Sequence, residues 1–258
     1  MTDQFIEVTC ADHVMTVTIC RRQVMNALHA PAHAELGRAF DRFAEDPELW
    51  VAIITGQGQK AFSAGRDLKA AALGQEWPDI HPSGGSGGIT ARFDLFKPVI
   101  AAVNGVALGG GFEIALACDI IIAADHARFG LPEPRVGRTA GAGGVHRLPR
   151  MIPDKIAMGM LLTGRHITAQ EALRYGIVNE VVPLEQLMPT ALHWAEEIKA
   201  CAPLSVQATK QAQTLRHLPL SEAMSTRLSL TEAVATAEDR LEGARAFVEK
   251  RKPNWKGR

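Results

Sequence analysis

The chain has 258 residues, 47% hydrophobic and 22% charged, and its 28 basic and 28 acidic side chains give a formal net charge of zero. That length suits one large α/β domain, or such a domain with a helical appendage, and the charge balance argues against a general nucleic-acid or membrane-surface binder. No run of about 18 apolar residues could span a membrane, and the start, MTDQFIEVTC, lacks the basic-then-apolar pattern of a signal peptide, so a soluble cytoplasmic protein is expected.

The first stretch, FIEVTCADHVMTVTIC, holds two β-rich runs around Ala11, Asp12 and His13, which predicts a hairpin. PAHAELGRAFDRFAED carries Ala34, Leu36, Phe40 and Phe43 at helical spacing with Pro31 at its start, the pattern of an amphipathic helix. WVAIITG reads as a short strand ending at Gly56, and KAFSAGRDLKAAA as a loop running into a helix. Residues 73–88, with HPSGGSGG, form the most flexible-looking part of the chain, suited to a mobile lid or a tolerated insertion. KPVIAAVNG, LGGGFEIALACD and DIIIAAD then read as strand, glycine turn, helix and strand: a right-handed crossover in a sheet buried on both faces. GIVNEVV is a further strand. From Pro183 onward the chain is helical, with AEEIKACAPLSVQATKQAQTL and EAMSTRLSLTEAVAT as amphipathic segments and a basic end, so the division falls into 1–183 (α/β) and 184–258 (helical). The four cysteines, Cys10, Cys20, Cys118 and Cys201, show no CxxC spacing. Three sit in apolar runs, and they read as small buried hydrophobes in a reducing compartment.

The glycines of LGGGFEIALACD stand at the mouth of a helix, where backbone N–H groups lack intrahelical partners and a partial positive charge gathers. Without a Cβ in the way, an N–H of Gly110 or Gly111 can meet a negatively charged atom. The alternative is a tight, close-packed strand-to-helix turn. Neither a phosphate-binding GxxxxGK[ST] nor a dinucleotide GxGxxG is present there, since Phe112 and Glu113 follow the glycines. A second glycine turn, FSAGRDL, can offer another N–H, that of Arg66. Glu133, set between two prolines in FGLPEPRVG, lies twenty residues after Glu113, and an outgoing helix with its returning strand can bring the two carboxylates together. Two backbone donors would hold negative charge on a carbonyl oxygen as an enolate forms. Two carboxylates whose pKa values are pushed apart would supply an acid and a base at neighbouring carbons. That is the chemistry of adding water to an α,β-unsaturated thioester. No His/Cys/Asp/Glu cluster has metal-ligand spacing, so no metal is expected, and His146 and His166 read as structural or surface residues.

AFSAGRDLK, KPVIAAVNGVALGGGFEIALACDIIIAAD, ARFGLPEPRVG, AGAGGVHRLPR, LLTGRHITAQEALRYGIVNEVV and EGARAFVEKRKPNWKGR stand in the order found in the crotonase (enoyl-CoA hydratase/isomerase) superfamily, which the chain closely resembles over nearly its whole length. SAGRDLKAAA and KPNWKGR look most like its carnitinyl-CoA dehydratase branch. The resemblance implies a spiral of ββα units with a C-terminal helical trimerisation region, assembling as a homotrimer or homohexamer. It implies an oxyanion hole made by the N–H groups of Arg66 and Gly110, with Glu113 and Glu133 as the catalytic glutamates. Coenzyme A, part of the thioester substrate and not a separate cofactor, would lie across RRQVMNAL, at Val24 and Met25. Its adenine would sit near Ala64, Asp67 and Leu68, and Lys252 and Lys256 of the tail would reach its phosphates, across a subunit boundary or within one chain. Because both glutamates are kept, an enoyl-CoA hydratase of fatty-acid β-oxidation is the leading expectation. Carnitinyl-CoA dehydratase and other crotonase isomerases or hydrolases are the alternatives. An RNA-binding or scaffold role on this fold is disfavoured by the zero net charge and the intact acid pair. GRTAGAGG, residues 137–144, departs from the GTIPGAGG common among hydratases, with Arg138 and Ala140 close to the expected pocket, which bears on acyl specificity.

Overall fold

The computed structural model describes residues 4–73 and 84–258. The expected hairpin is formed by β1 (Ile6–Ala11) and β2 (Val14–Ile19), antiparallel in register Ile6↔Ile19 to Ala11↔Val14. Asp12 and His13 both take positive φ, the two left-handed central residues of a two-residue hairpin turn. α1 (Ala30–Glu45) has Pro31 in its first turn and buries Ala32, Leu36, Ala39, Phe40 and Phe43, so the apolar stripe runs through Ala32 and leaves Ala34 only half-buried.

Among the described residues, β1 and β2 continue through β3 (Val51–Gly56), β5 (Val99–Val103), β7 (Ile120–Ala124) and β10 (Glu180–Val182) into a six-stranded sheet, parallel from β2 onward. A second sheet of four three-residue strands has the order β4 (Ala61–Ser63), β6 (Val106–Leu108), β8 (Arg128–Gly130) and β9 (His166–Thr168). The chain alternates between the two sheets: β3 leads to β4 and α2 (Leu68–Ala72), β5 to β6 and α3 (Gly110–Ala117), and β7 to β8 followed by a 3-10 turn (Glu133–Val136) and α4 (Gly144–Met151). This is the spiral of ββα units, and it stacks the ends of β4, β6 and β8 side by side.

The six-stranded sheet is buried on both faces, which explains the near-continuous apolar runs of its strands. Ala52, Ile54, Ala101 and Val103 join α1 and α3 on one face. Val51, Ile53, Ile100, Ala102 and Ile122 pack on the other against Leu187, Ala191 and Ala195 of α7 (Leu187–Lys199). The long helical segment expected after residue 194 breaks at Cys201 and Ala202, and Pro203 opens α8 (Pro203–Gln213). The next one is likewise two helices, α9 (Leu220–Ser225) and α10 (Ser229–Thr236), before α11 (Glu238–Glu249). Between α4 and α7 lie α5 (Asp154–Thr163) and α6 (Ala169–Arg174). No helix among the described residues is long and apolar enough to cross a membrane.

Two expectations need correction. Only Cys118 is buried; Cys10 lies exposed on the edge strand β1, Cys201 is exposed just past α7, and Cys20 is half-buried. Residues 74–83 lie outside the described residues, but Gly84 to Gly88 form no slack linker: they are buried in a tight turn. A Cβ on Gly88 would come within 2.6 Å of Gly37 Cα in α1, so this glycine serves close backbone packing.

Candidate active site

The spiral brings two glycine turns into contact. Gly65, at φ 83°, lies so close to the β6–α3 junction that a Cβ there would be 2.6 Å from Leu108 O and 2.9 Å from Gly110 N. Arg66 pairs with Leu28 in an isolated parallel bridge, in which Leu28 N–H donates to Gly65 O (2.7 Å) and Leu28 O accepts from Asp67 N–H (2.9 Å). In parallel pairing those bonds go to the residues flanking Arg66, so the Arg66 N–H itself faces away from Leu28. Ser63 fastens the turn from inside, its hydroxyl donating to Asn26 O (2.8 Å) and accepting from Gly65 N–H (3.1 Å). Gly110 is the first residue of α3, where the backbone N–H has no intrahelical partner. Gly109 before it adopts φ 51° and ψ −129°, and its helix turn is closed by Glu113 N–H to Gly109 O at 2.9 Å.

Glu113 is only 3% exposed, and its Oε1 accepts from Gly144 N–H at 2.8 Å. Burial pushes its pKa up to about 7; the Gly144 and Ala142 N–H groups and the Arg147 charge oppose that rise, while the Glu133 charge adds to it. Glu133 stands at the start of the 3-10 turn after β8, half-buried, with its pKa also raised by burial. Its Oε1 lies 3.0 Å from where a Gly109 Cβ would be, and its Oε2 is buried with no hydrogen-bond partner among the described residues. Arg66, Gly110, Glu113 and Glu133 all line one cavity of about 200 Å³. A larger cavity of about 1000 Å³ adjoins it, sharing Ser86, Gly141 and Ala142.

The remaining residues expected at the site are spread more widely. Asp67 lines the cavity, but its carboxylate is already engaged: it pairs with Arg21 Nη2 (3.0 Å) and caps α2 through Ala70 N–H (3.2 Å). Val24 and Met25 are half-buried in the turn before Asn26, and Met25 O accepts from Ala64 N–H (2.9 Å), joining RRQVMNAL to the second glycine turn. Leu68 is exposed at the start of α2. Lys252 and Lys256 are exposed on the tail beyond α11 and do not line the cavity within this chain; the Lys256 N–H is held by Asp239 Oδ1 at 2.7 Å. Arg138 lines the cavity, as expected from its place in GRTAGAGG, and Ala140 is buried below it. His146 and His166 are exposed and outside it.

Sequence reasoning missed three contributors. Asn26, fully buried with φ 53°, donates to Gln57 O and Ala61 O and accepts from Arg21 N–H, tying three loops together. His29 lines the cavity with its Nδ1 buried and without a hydrogen-bond partner among the described residues, and burial lowers its pKa by disfavouring the charged ring. Gly144 supplies the N–H on Glu113; the GAGG run was the available signal, but nothing local connects it to a residue 31 positions earlier.

The sequence model of the enoyl-CoA hydratase/isomerase family matches residues 9–258. A protein of Salmonella arizonae named carnitinyl-CoA dehydratase is 49% identical over 249 residues, covering 95% of each chain, and one of the same name from Citrobacter koseri is 48% identical over 250 residues with the same coverage. Among solved structures, an enoyl-CoA hydratase from Mycobacterium tuberculosis superposes with a TM-score of 0.91 at 40% identity, covering 98% of this chain and 99% of its own. An enoyl-CoA hydratase from Bacillus anthracis gives 0.90 at 39% identity, covering 99% of this chain and 100% of its own. Two stacked sheets threaded by ββα units, a paired-glutamate cavity and full-length similarity converge: the chain belongs to the enoyl-CoA hydratase/isomerase, or crotonase, family.

Proposed function

We propose that the protein is a hydro-lyase that interconverts a 3-hydroxyacyl-CoA and its trans-2-enoyl-CoA, and that carnitinyl-CoA and crotonobetainyl-CoA are the pair it handles. The chemistry is carried by one observation: two glutamates with raised pKa values, Glu113 buried and Glu133 half-buried, line the same small cavity as Arg66 and Gly110. In dehydration the ionised carboxylate takes the Cα proton, the electron pair forms the Cα–Cβ double bond, and the C–OH bond breaks. The protonated glutamate delivers its proton to the departing hydroxyl, which leaves as water. The pair as a whole then carries the same single negative charge as before, which suits a site where two adjacent charges are costly. Negative charge building on the thioester oxygen is received by the N–H groups of Arg66 and Gly110, a contribution of roughly 3 kcal/mol per donor. Hydration runs the same steps backward.

The acyl group is supported by the relatives. The proteins named carnitinyl-CoA dehydratase stand at 47–49% identity, above the 40% of the solved enoyl-CoA hydratases, so the acyl preference that first reads as unsubstituted enoyl-CoA shifts to the carnitinyl pair. A trimethylammonium nitrogen on Cγ is two bonds from the carbon whose hydroxyl the carboxylates serve, where their negative charge favours a cation. The test is turnover of crotonobetainyl-CoA and crotonyl-CoA, followed by loss of the conjugated thioester absorbance. A higher kcat/KM for crotonobetainyl-CoA is expected. Preference for crotonyl-CoA would return the assignment to a simple enoyl-CoA hydratase, and activity on neither would remove the hydro-lyase reading. Glu113→Gln and Glu133→Gln should each lower kcat by about 10²-fold or more while leaving the fold intact.

Self-association as a homotrimer or homohexamer belongs to the same proposal. Leu220 and Met224 of α9 and Phe247 and Val248 of α11 are 75%, 79%, 85% and 79% exposed, large apolar side chains that a second copy of this chain would cover.

A further inference from the structure

Arg147 is used by none of the steps above; it lines the larger adjoining cavity and bonds to two turns that also wall the smaller one. It lies in the first turn of α4, and its half-buried guanidinium makes two bonds: Nη2 donates to Thr90 O at 2.8 Å and Nη1 to Ala142 O at 3.4 Å. Thr90 closes the packed glycine turn at residues 84–90, which supplies Ser86 to the cavity. Ala142 belongs to the turn at residues 140–144, which supplies Gly141 and Ala142 to the cavity and the Gly144 N–H to Glu113. The fit is close enough that a Cβ on Gly143 would collide with Nη1. Among the described residues no carboxylate pairs with this guanidinium, although it is partly withdrawn from water and burial lowers its pKa. A cation kept there against a desolvation cost, and spent on two carbonyls in different loops, has a purpose beyond surface solvation.

We infer that Arg147 is a positioning residue for the proton-transfer pair: its planar fork ties the 84–90 turn to the 140–144 turn and so holds the Gly144 N–H on the Glu113 carboxylate. It also places a fixed positive charge on the α4 side of that carboxylate. The charged groups acting on Glu113 are Glu133 from the turn after β8 and Arg147 from α4. The Ser86–Gly88 turn, β4 and β6, which also pack on α3, contain no titratable residue. His29, Arg66, Asp67 and Arg138 share the cavity from its other walls. Glu133 and Arg147 therefore push the Glu113 proton in opposite directions, the guanidinium adding to the larger effect of the Gly144 and Ala142 N–H groups whose turn it fastens.

The inference rests on Glu113 acting in proton transfer, so its test includes a readout that needs no turnover. Arg147→Met removes charge and fork together, while Arg147→Lys keeps a charge but cannot span both carbonyls. Both variants should lose between about tenfold and about a hundredfold in kcat with KM within about twofold of wild type, because substrate still binds but the carboxylate is misplaced. The Glu113 carboxyl titration, followed by the infrared band that is absent in Glu113→Gln, should move to higher pH in Arg147→Met and by less in Arg147→Lys. Wild-type kcat in a folded Arg147→Met, or a kcat loss with an unmoved Glu113 titration, overturns the inference. Should Arg147→Met fail to fold, Arg147→Lys decides by the same two readouts at an unchanged melting temperature. Full activity in Glu113→Gln would instead sink the hydro-lyase mechanism, while the infrared titration would still report whether Arg147 governs that carboxylate.

Discussion

Glu113 titrates at about 7 in the fold against 4.5 unperturbed, because burial disfavours its charged form. A folded-state pKa raised in this way contributes stability fully below 4.5 and loses it as pH rises through 7. Glu113→Gln should therefore match wild type in melting temperature at pH 4.5 and exceed it at pH 8, by up to about 3 kcal/mol, while losing turnover at both. Denaturant melts at the two pH values check this; a variant less stable at pH 8 would mean that the charged carboxylate is well solvated in the fold. Glu133→Gln removes the charge that raises the Glu113 pKa, so the Glu113 titration should move to lower pH, opposite to the shift expected for Arg147→Met. Gly109→Ala probes the same pair from the backbone: at φ 51° and ψ −129° an alanine is strained by about 1–3 kcal/mol, and its Cβ would press on Glu133 Oε1. Lower melting temperature together with lower kcat is expected, and unchanged kcat would show that Glu133 tolerates displacement.

The elements that build the site differ in how readable they were. β3, β5 and β7 are apolar runs five or six residues long, and α1 shows its period over sixteen residues, so their types follow from pattern alone. β4, β6, β8 and β9 have three residues each, too few to establish a period, and the second sheet they form went unread. Yet it is this sheet that sets the Gly65 turn against Gly110. α2 depends on the same turn: with five residues it has little intrinsic helical stability and leans on its Asp67 cap and the Arg21–Asp67 pair, whose side chains are mostly buried. Asp67→Ala should cost about 2 kcal/mol or more by removing the cap and leaving Arg21 without its carboxylate, and should lower kcat by loosening the Arg66 backbone. Asp67→Asn, which keeps the cap, should recover part of both, and equal effects of the two variants would make the ion pair the dominant support.

At the level of the whole molecule, the apolar residues on α9 and α11 make the assembly testable. Phe247→Lys should shift the oligomer toward smaller species in light scattering if a second copy covers this face, and an unchanged mass would place the contact elsewhere. The sequence by itself determined the α/β core, the glycine-lined helix mouth, the two glutamates and the family, because these reside in contiguous strings whose periodicity and residue types carry their own physical meaning. The distances between those strings were decided only by the tertiary structure. Gly144 reaches Glu113, Asp67 turns to Arg21, the 84–88 glycines serve packing and not mobility, and Arg147 bridges two loops, all through contacts between segments far apart in the chain. Burial raises both glutamates for the same reason: a carboxylate's pKa depends on what surrounds it in space, and no local stretch of sequence encodes that surrounding.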